Sequence, residues 1–241
     1  NPDVRVVDTS TAHRVAPGWA YGFPELSAAR REAIITGKRV ASPGCHAGGF
    51  IVLVQPLIEA GILPADALLA CHSLTGYSGG GKGMIAEYEA EGRAAALSSP
   101  REYGLGQTHK HLPEMAGIPG LEHCPVFCPI VADFYSGMLV TVPLFGAQLN
   151  AGYTLADVRE CYKAKFTGPV VKYVDAMDEA GFIASNTLTG TDSMEVTVCG
   201  NDERMILLSR FDNLGKGASG AAVQCINLML GADETAGLVL A

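Results

Sequence analysis

The stretch ASPGCHAGGFIVLVQPLIEAG, residues 41–61, constrains the fold more than any other. A Ser-Pro-Gly turn ends a short strand, RVASPG, and delivers Cys45 at the head of an apolar run. This predicts a helix from about Cys45 that Pro56 kinks or ends and Gly61 closes. The cysteine has two readings on local sequence: a small hydrophobe at a turn, or a nucleophile. The second rests on the orphan amides and dipole of a helix N-terminus, which favour a thiolate.

Segments on either side set the class. VRVVDTS (4–10) reads as a strand, and PELSAARREAIITGK (24–38) as a helix with Pro24 early and Gly37 near its end. ALLACHSLT (67–75) is a strand candidate running into GYSGGGKG, and MIAEYEAEG (84–92) a short helix. Breakers in SSPREYGLGQTHKHLPEMAGIPG predict mostly loop. CPVFCPIVADFYSGMLVTVPLF predicts two strands folding back as a hairpin through DFYSG. TLADVRECYKAKF (154–166) is an amphipathic helix capped by Thr154 or the region of Asn150. PVVKYV, SMEVTVCG and RMILLSRFDN supply three more strands, the last two turning at Gly200–Asp202. GKGASGAAVQCINLMLG closes as a glycine-led helix. Alternating β and α, then an antiparallel-rich middle, then one returning helix predict an α/β half joined to an α+β half.

Composition bounds the chemistry. The 241 residues suffice for one large or two modest domains. A formal charge of −8, with basic residues scattered, argues against a nucleic-acid or anionic-membrane surface. No apolar stretch reaches spanning length and no signal-like segment opens the chain. The seven cysteines follow no regular framework, which fits free thiols in a reducing compartment. A soluble cytoplasmic protein is expected. His123, Cys124 and Cys128 resemble half a zinc site, but no second ligand pair accompanies them and residues 124–129 read as a strand, so no metal is expected.

Four further clusters carry chemical options. In THKHLPEM, His109 and His111 point the same way on an extended chain and Glu114 can orient one imidazole; the alternative is a solvated polar loop. GYSGGGKG meets most of a phosphate-loop pattern, but Gly83 replaces the magnesium-binding Ser or Thr. What survives is a glycine-rich turn whose amides and Ser78 hydroxyl can approach an anion. In GKGASGAAVQ the amides of Ser219 and Gly220 either line a cofactor pocket or start a close-packed helix. In DTSTAHR, Arg14 is either a bidentate clamp for a carboxylate or phosphate, or a solvated charge.

Taken in order, DTSTAHRVAPGWAYGFPEL, SPGCHAGGF, LTGYSGGGKGMI, HKHLPEM and NLGKGASGAAVQCINLMLG resemble the short-chain (type 2) N-acetyl-gamma-glutamyl-phosphate reductases, in the superfamily of aspartate-semialdehyde and glyceraldehyde-phosphate dehydrogenases. The resemblance implies NADPH-dependent reduction of an acyl phosphate to a semialdehyde in arginine biosynthesis, through a Cys45 thioester. The alternative is a related reductase, such as aspartate-semialdehyde dehydrogenase or a lysine-pathway counterpart. The resemblance further implies His109 as acid/base, Glu114 as its orienter, and Arg14, His111 and Ser78 as substrate-binding residues. Ser10, Gly79, Ser219 and Gly220 would touch NADP(H). Such reductases carry a glycine-rich nucleotide fingerprint in a first βαβ unit that has no counterpart here, so the chain is expected to open at a later strand. His46 stands where the family is expected to have tyrosine. The implied fold is a Rossmann-like half at 1–44, completed by 217–241, plus a mixed α+β catalytic and oligomerisation domain at 45–216 with a largely antiparallel sheet. The implied assembly is a homo-dimer or homo-tetramer.

Overall fold

The computed structural model describes residues 3–241. Three short parallel strands, β1 (Val6–Asp8), β2 (Ala20–Tyr21) and β3 (Arg39–Ala41), form a small sheet in the order β1-β3-β2. Against it pack α1 (Ala28–Thr36) and the last helix, α6 (Gly220–Leu230). Their shared core is Ile34, Val40, Cys225, Leu228 and Met229. The helix predicted over 24–38 is broken in two. Pro24–Leu26 make one 3-10 turn, then Ser27 turns extended and caps α1 by accepting the Arg30 amide at 3.1 Å.

A larger sheet of seven strands holds the main core. Its strands are β4 (Ala70–Gly76), β5 (Arg101–Glu102), β6 (Val126–Ala132), β7 (Met138–Phe145), β8 (Val171–Tyr173), β9 (Met194–Gly200) and β10 (Arg204–Phe211). They run in the order β5-β6-β4-β7-β10-β9-β8, antiparallel except for the β4–β6 and β8–β9 pairs. The β9–β10 hairpin forms as its turn signal predicts. The hairpin expected between β6 and β7 does not form, because β4 lies between them, parallel to one and antiparallel to the other. The connecting loop is stitched to the end of β4 instead: the Gly76, Tyr77 and Ser78 amides donate to the carbonyls of Gly137, Phe134 and Tyr135.

Helix α2 (Cys45–Glu59) crosses this sheet on β7 and β10 and is buried from His46 to Leu57. Gly49 permits the contact: a Cβ there would meet Val140 and the Phe211 ring, and Ser209 Oγ donates to the Gly49 carbonyl at 2.9 Å. Pro56 does not end the helix, which runs on to Glu59. It removes only its own donor one turn from the end, and Tyr162 from α5 (Leu155–Lys165) donates its hydroxyl to the neighbouring Leu53 carbonyl at 2.5 Å. Thr154 caps α5, and the Asp157 carboxylate accepts both its amide and its hydroxyl. Helix α3 (Gly81–Glu89) begins inside the glycine run, three residues before the predicted start, and α4 (Leu112–Gly117) interrupts the predicted loop.

Candidate active site

Where the small sheet meets the large one, a cleft of ≈ 420 Å³ opens. Residues 42–46, 75–76, 78–81, 109–111, 213–214 and 217–218 line it, with Thr9, Arg14 and Tyr103 beside them. Cys45 is the first residue of α2 and half-buried in this cleft. The preceding Gly44 is the helix cap, and a side chain there is excluded. A Cβ would strike both Arg14 Nη1 and His111 Nε2.

Burial pushes the Cys45 thiol up, against the opposing pull of the His46 amide, Arg14 and its own amide. The helix N-terminus is present as expected, but in the ligand-free protein it does not prevail over desolvation. The resting sulfur is therefore a thiol rather than a preformed thiolate.

Glu114 departs from its expected role. It accepts no histidine proton. Its Oε1 accepts the Tyr21 hydroxyl at 2.7 Å and the Gly44 amide at 2.8 Å, and its Oε2 faces Arg14 Nη1 at 3.4 Å. It is 2 % exposed, and burial raises its pKa above the ordinary carboxyl value despite those three donors. Arg14 is held further by the Ser42 and Thr9 carbonyls, both at 3.0 Å.

The histidines cluster, but not on an extended chain: residues 109–111 form a turn leading into α4. His109 and His111 have ring centroids 4.9 Å apart, with His46 6.0 and 5.5 Å from them respectively. The His111 amide donates to His109 Nδ1 at 3.3 Å, which in the neutral ring leaves the proton on Nε2. His111 is 4 % exposed, and its Nδ1 has no hydrogen-bond partner. Burial first, then the adjoining His46 and His109, Arg14 and Lys110, pull its pKa to about 2. His46 sits between Ser73 Oγ at 2.6 Å and the Tyr103 hydroxyl at 2.8 Å, and burial first, then His109 and Lys110, pull it to about 3. Burial, then Lys110, also lowers His109.

Of the remaining expected residues, Ser78 and Gly79 line the cleft; Ser78 Oγ accepts from Asn213 Nδ2 at 3.0 Å. Ser10 is exposed beside the cleft, its hydroxyl donating to Asp8 at 2.6 Å. The Ser219 and Gly220 amides are not free for a cofactor. They close a π-helical turn at Gly215–Ser219, donating to the Leu214 and Gly215 carbonyls, and Leu214, Gly217 and Ala218 face the cleft in their place. Tyr21, Ser73, Tyr103, Lys110 and Asn213 escaped the sequence reading. Tyr21, Lys110 and Asn213 lie within the segments DTSTAHRVAPGWAYGFPEL, HKHLPEM and NLGKGASGAAVQCINLMLG, whereas Ser73 and Tyr103 lie in none of the quoted motifs. Among the described residues no three His, Cys, Asp or Glu side chains are placed to hold one metal ion.

A family model described as semialdehyde dehydrogenase, dimerisation domain, matches residues 45–213. The N-acetyl-gamma-glutamyl-phosphate reductase of Rhizobium meliloti is 44% identical over 238 residues, covering 96% of this chain and 77% of that protein. The enzyme of the same name from Brucella anthropi is 44% identical over 94% of this chain and 75% of its own length. Among solved structures, aspartate semialdehyde dehydrogenase II of Vibrio cholerae, complexed with ASA, matches with a TM-score of 0.69 at 16% identity, over 94% of this chain and 72% of that one. A probable aspartate-semialdehyde dehydrogenase from Pseudomonas aeruginosa matches with a TM-score of 0.70 at 20% identity, over the same shares. These two likenesses establish the fold, and the curated relatives establish the narrower kinship. The chain belongs to the N-acetyl-gamma-glutamyl-phosphate reductase family, within the wider group of semialdehyde dehydrogenases.

Proposed function

We propose that this chain carries the acyl-transfer and reduction site for N-acetyl-gamma-glutamyl phosphate, yielding N-acetylglutamate semialdehyde and phosphate in arginine biosynthesis. The observation that supports it most is Cys45 at a helix start, facing a cleft shared with three histidines held neutral.

Cys45 Sγ attacks the acyl carbon, the bond to the phosphate oxygen breaks, and a thioester remains on the cysteine. The cysteine's own amide and that of His46 lie at the sulfur and are placed to meet an oxyanion developing on the same carbon. His109 has two states to offer. The resting tautomer presents Nε2–H as an acid, and loss of one weak 3.3 Å bond gives the tautomer that accepts the thiol proton. When the carbon–sulfur bond finally breaks, His109 returns that proton to sulfur. Glu114 works at one remove, fixing the Gly44 amide in the residue that precedes Cys45.

The family implies a nicotinamide cofactor, and NADP(H) is the form proposed here. Gly79, Gly80, Gly81, Leu214, Gly217 and Ala218 line the cleft without bringing a charged side chain to it, which suits an uncharged ring beside Cys45. Bound there, the cofactor supplies the hydride. The dimerisation-domain match supports a homo-oligomer, and the open face of the large sheet, bearing Val126, Phe145 and Ile206 exposed, is the proposed contact. No helix among the described residues is long and apolar enough to cross a membrane, and all seven cysteines are free, in keeping with the cytoplasm.

Phosphate-dependent oxidation assayed with N-acetylglutamate semialdehyde and with aspartate semialdehyde tests the reading. A preference for the first of at least tenfold in kcat/KM is expected. A preference for aspartate semialdehyde overturns the substrate assignment and supports the aspartate-semialdehyde alternative.

A further inference from the structure

An acyl phosphate with a carboxylate brings several negative charges into the cleft, and most of the positive groups there are already committed. Arg14 is tied to two carbonyls and faces the Glu114 carboxylate, so its charge is countered on the spot. His46, His109 and His111 stand neutral in the resting cleft. Among the described residues only one other Lys or Arg lines it: Lys110, in the turn between His109 and His111. Lys110 is exposed, has no carboxylate within ion-pair distance, and makes no hydrogen bond. Its ammonium can pair with an incoming oxyanion without first breaking an internal bond.

We infer that Lys110 is the cleft's anion-binding residue, its ammonium pairing with an oxyanion of the substrate. The inference rests on the reaction proposed above, and gives Arg14 and His111 the work of shaping the Gly44–Cys45 corner. Sequence alone favoured Arg14 because a guanidinium matches an oxyanion fork. Folding instead spends three of its N–H groups internally, which leaves the flexible lysine as the uncommitted cation.

The oxidative direction separates the two anionic sources, since inorganic phosphate and the carboxylate-bearing semialdehyde enter as different molecules. Lys110→Gln on the full chain is expected to raise the KM of one of them about tenfold or more, the scale of a lost charge-assisted bond. Lys110→Arg should stay within a few-fold of the parent. A rise for phosphate assigns Lys110 to the phosphoryl end; a rise for the semialdehyde assigns it to the carboxylate end. Unchanged KM values for both in Lys110→Gln overturn the inference. A parent protein with no phosphate-dependent oxidation overturns the proposed reaction instead, so the two failures are told apart. Because the side chain has no internal partner, the variant's melting temperature should match the parent's, and a drop in it would mean Lys110 serves the fold and not the ligand.

Discussion

The backbone amide of Gly44 donates to Glu114 Oε1 at 2.8 Å, joining the residue before the cysteine to one 70 positions later. That oxygen also accepts the Tyr21 hydroxyl, so one buried carboxylate pins the small sheet, the start of α2 and α4 at a single point. The geometry of the nucleophile is therefore a tertiary property.

Glu114→Ala orphans the Gly44 amide and leaves Arg14 without its carboxylate, which should cost roughly 3 kcal/mol of stability. Glu114→Gln keeps an acceptor for Tyr21 and Gly44 and should cost less, with kcat reduced more than KM is raised. The pH dependence has a definite sign. Because the folded-state pKa of Glu114 is raised, its contribution is fully present below the ordinary glutamate value and fades as pH rises through the raised one. Denaturant unfolding of parent and Gln variant across pH 4–8 should show the parent losing its relative advantage with rising pH. An advantage that grows instead would refute the direction.

Gly44→Ala introduces a methyl where Arg14 and His111 already meet. Overpacking of this kind costs about 1–3 kcal/mol. Displacing Cys45 should lower kcat/KM by roughly 100-fold. Steady-state kinetics at matched folded fraction checks it; a variant within twofold of the parent would show that the corner is softer than described.

Cys45→Ser should lower the rate by about a thousandfold or more, since no thioester forms. Mass spectrometry of the parent mixed with acyl phosphate, without cofactor, should detect the acyl adduct on the peptide holding Cys45. Because burial raises this thiol, the rate of its alkylation by iodoacetamide in the free protein should still be climbing above pH 8.5, the range of an ordinary thiol. A plateau near pH 7 would contradict that.

His46 and His111 make the fold acid-labile. Both are held neutral, with pKa values of about 3 and about 2 against an ordinary 6.5. Their stabilising contribution is present above pH 6.5 and declines as pH falls toward 3. Each adds a slope of about 1.4 kcal/mol per pH unit between. Unfolding free energies measured from pH 7 to pH 4 should fall accordingly, and His46→Gln, which can still bond Ser73 and Tyr103, should flatten the slope. An unchanged slope in that variant would assign the lability elsewhere.

Features with a local cause were legible in the sequence. The start of α2 at Cys45 follows from the turn before it, α5 from Thr154 and Asp157, and the β9–β10 hairpin from its turn residues. Each is settled within about one turn of chain. What the sequence concealed involves partners far apart. The link between β6 and β7 has hairpin chemistry, yet β4, some fifty residues upstream, takes the place between them. Glu114 sits five residues from His109 and bonds instead to Tyr21, Gly44 and Arg14. The Ser219 and Gly220 amides look available and are consumed by a π-helical turn.

The sequence by itself determined which side chains gather: a cysteine after a Pro-Gly turn, a pair of histidines, and glycine-rich segments around them. Only the tertiary structure decided their states. Charge, tautomer and hydrogen-bond partner depend on desolvation and on groups that the chain brings close in space, and burial outweighs the local pull of a helix terminus on Cys45.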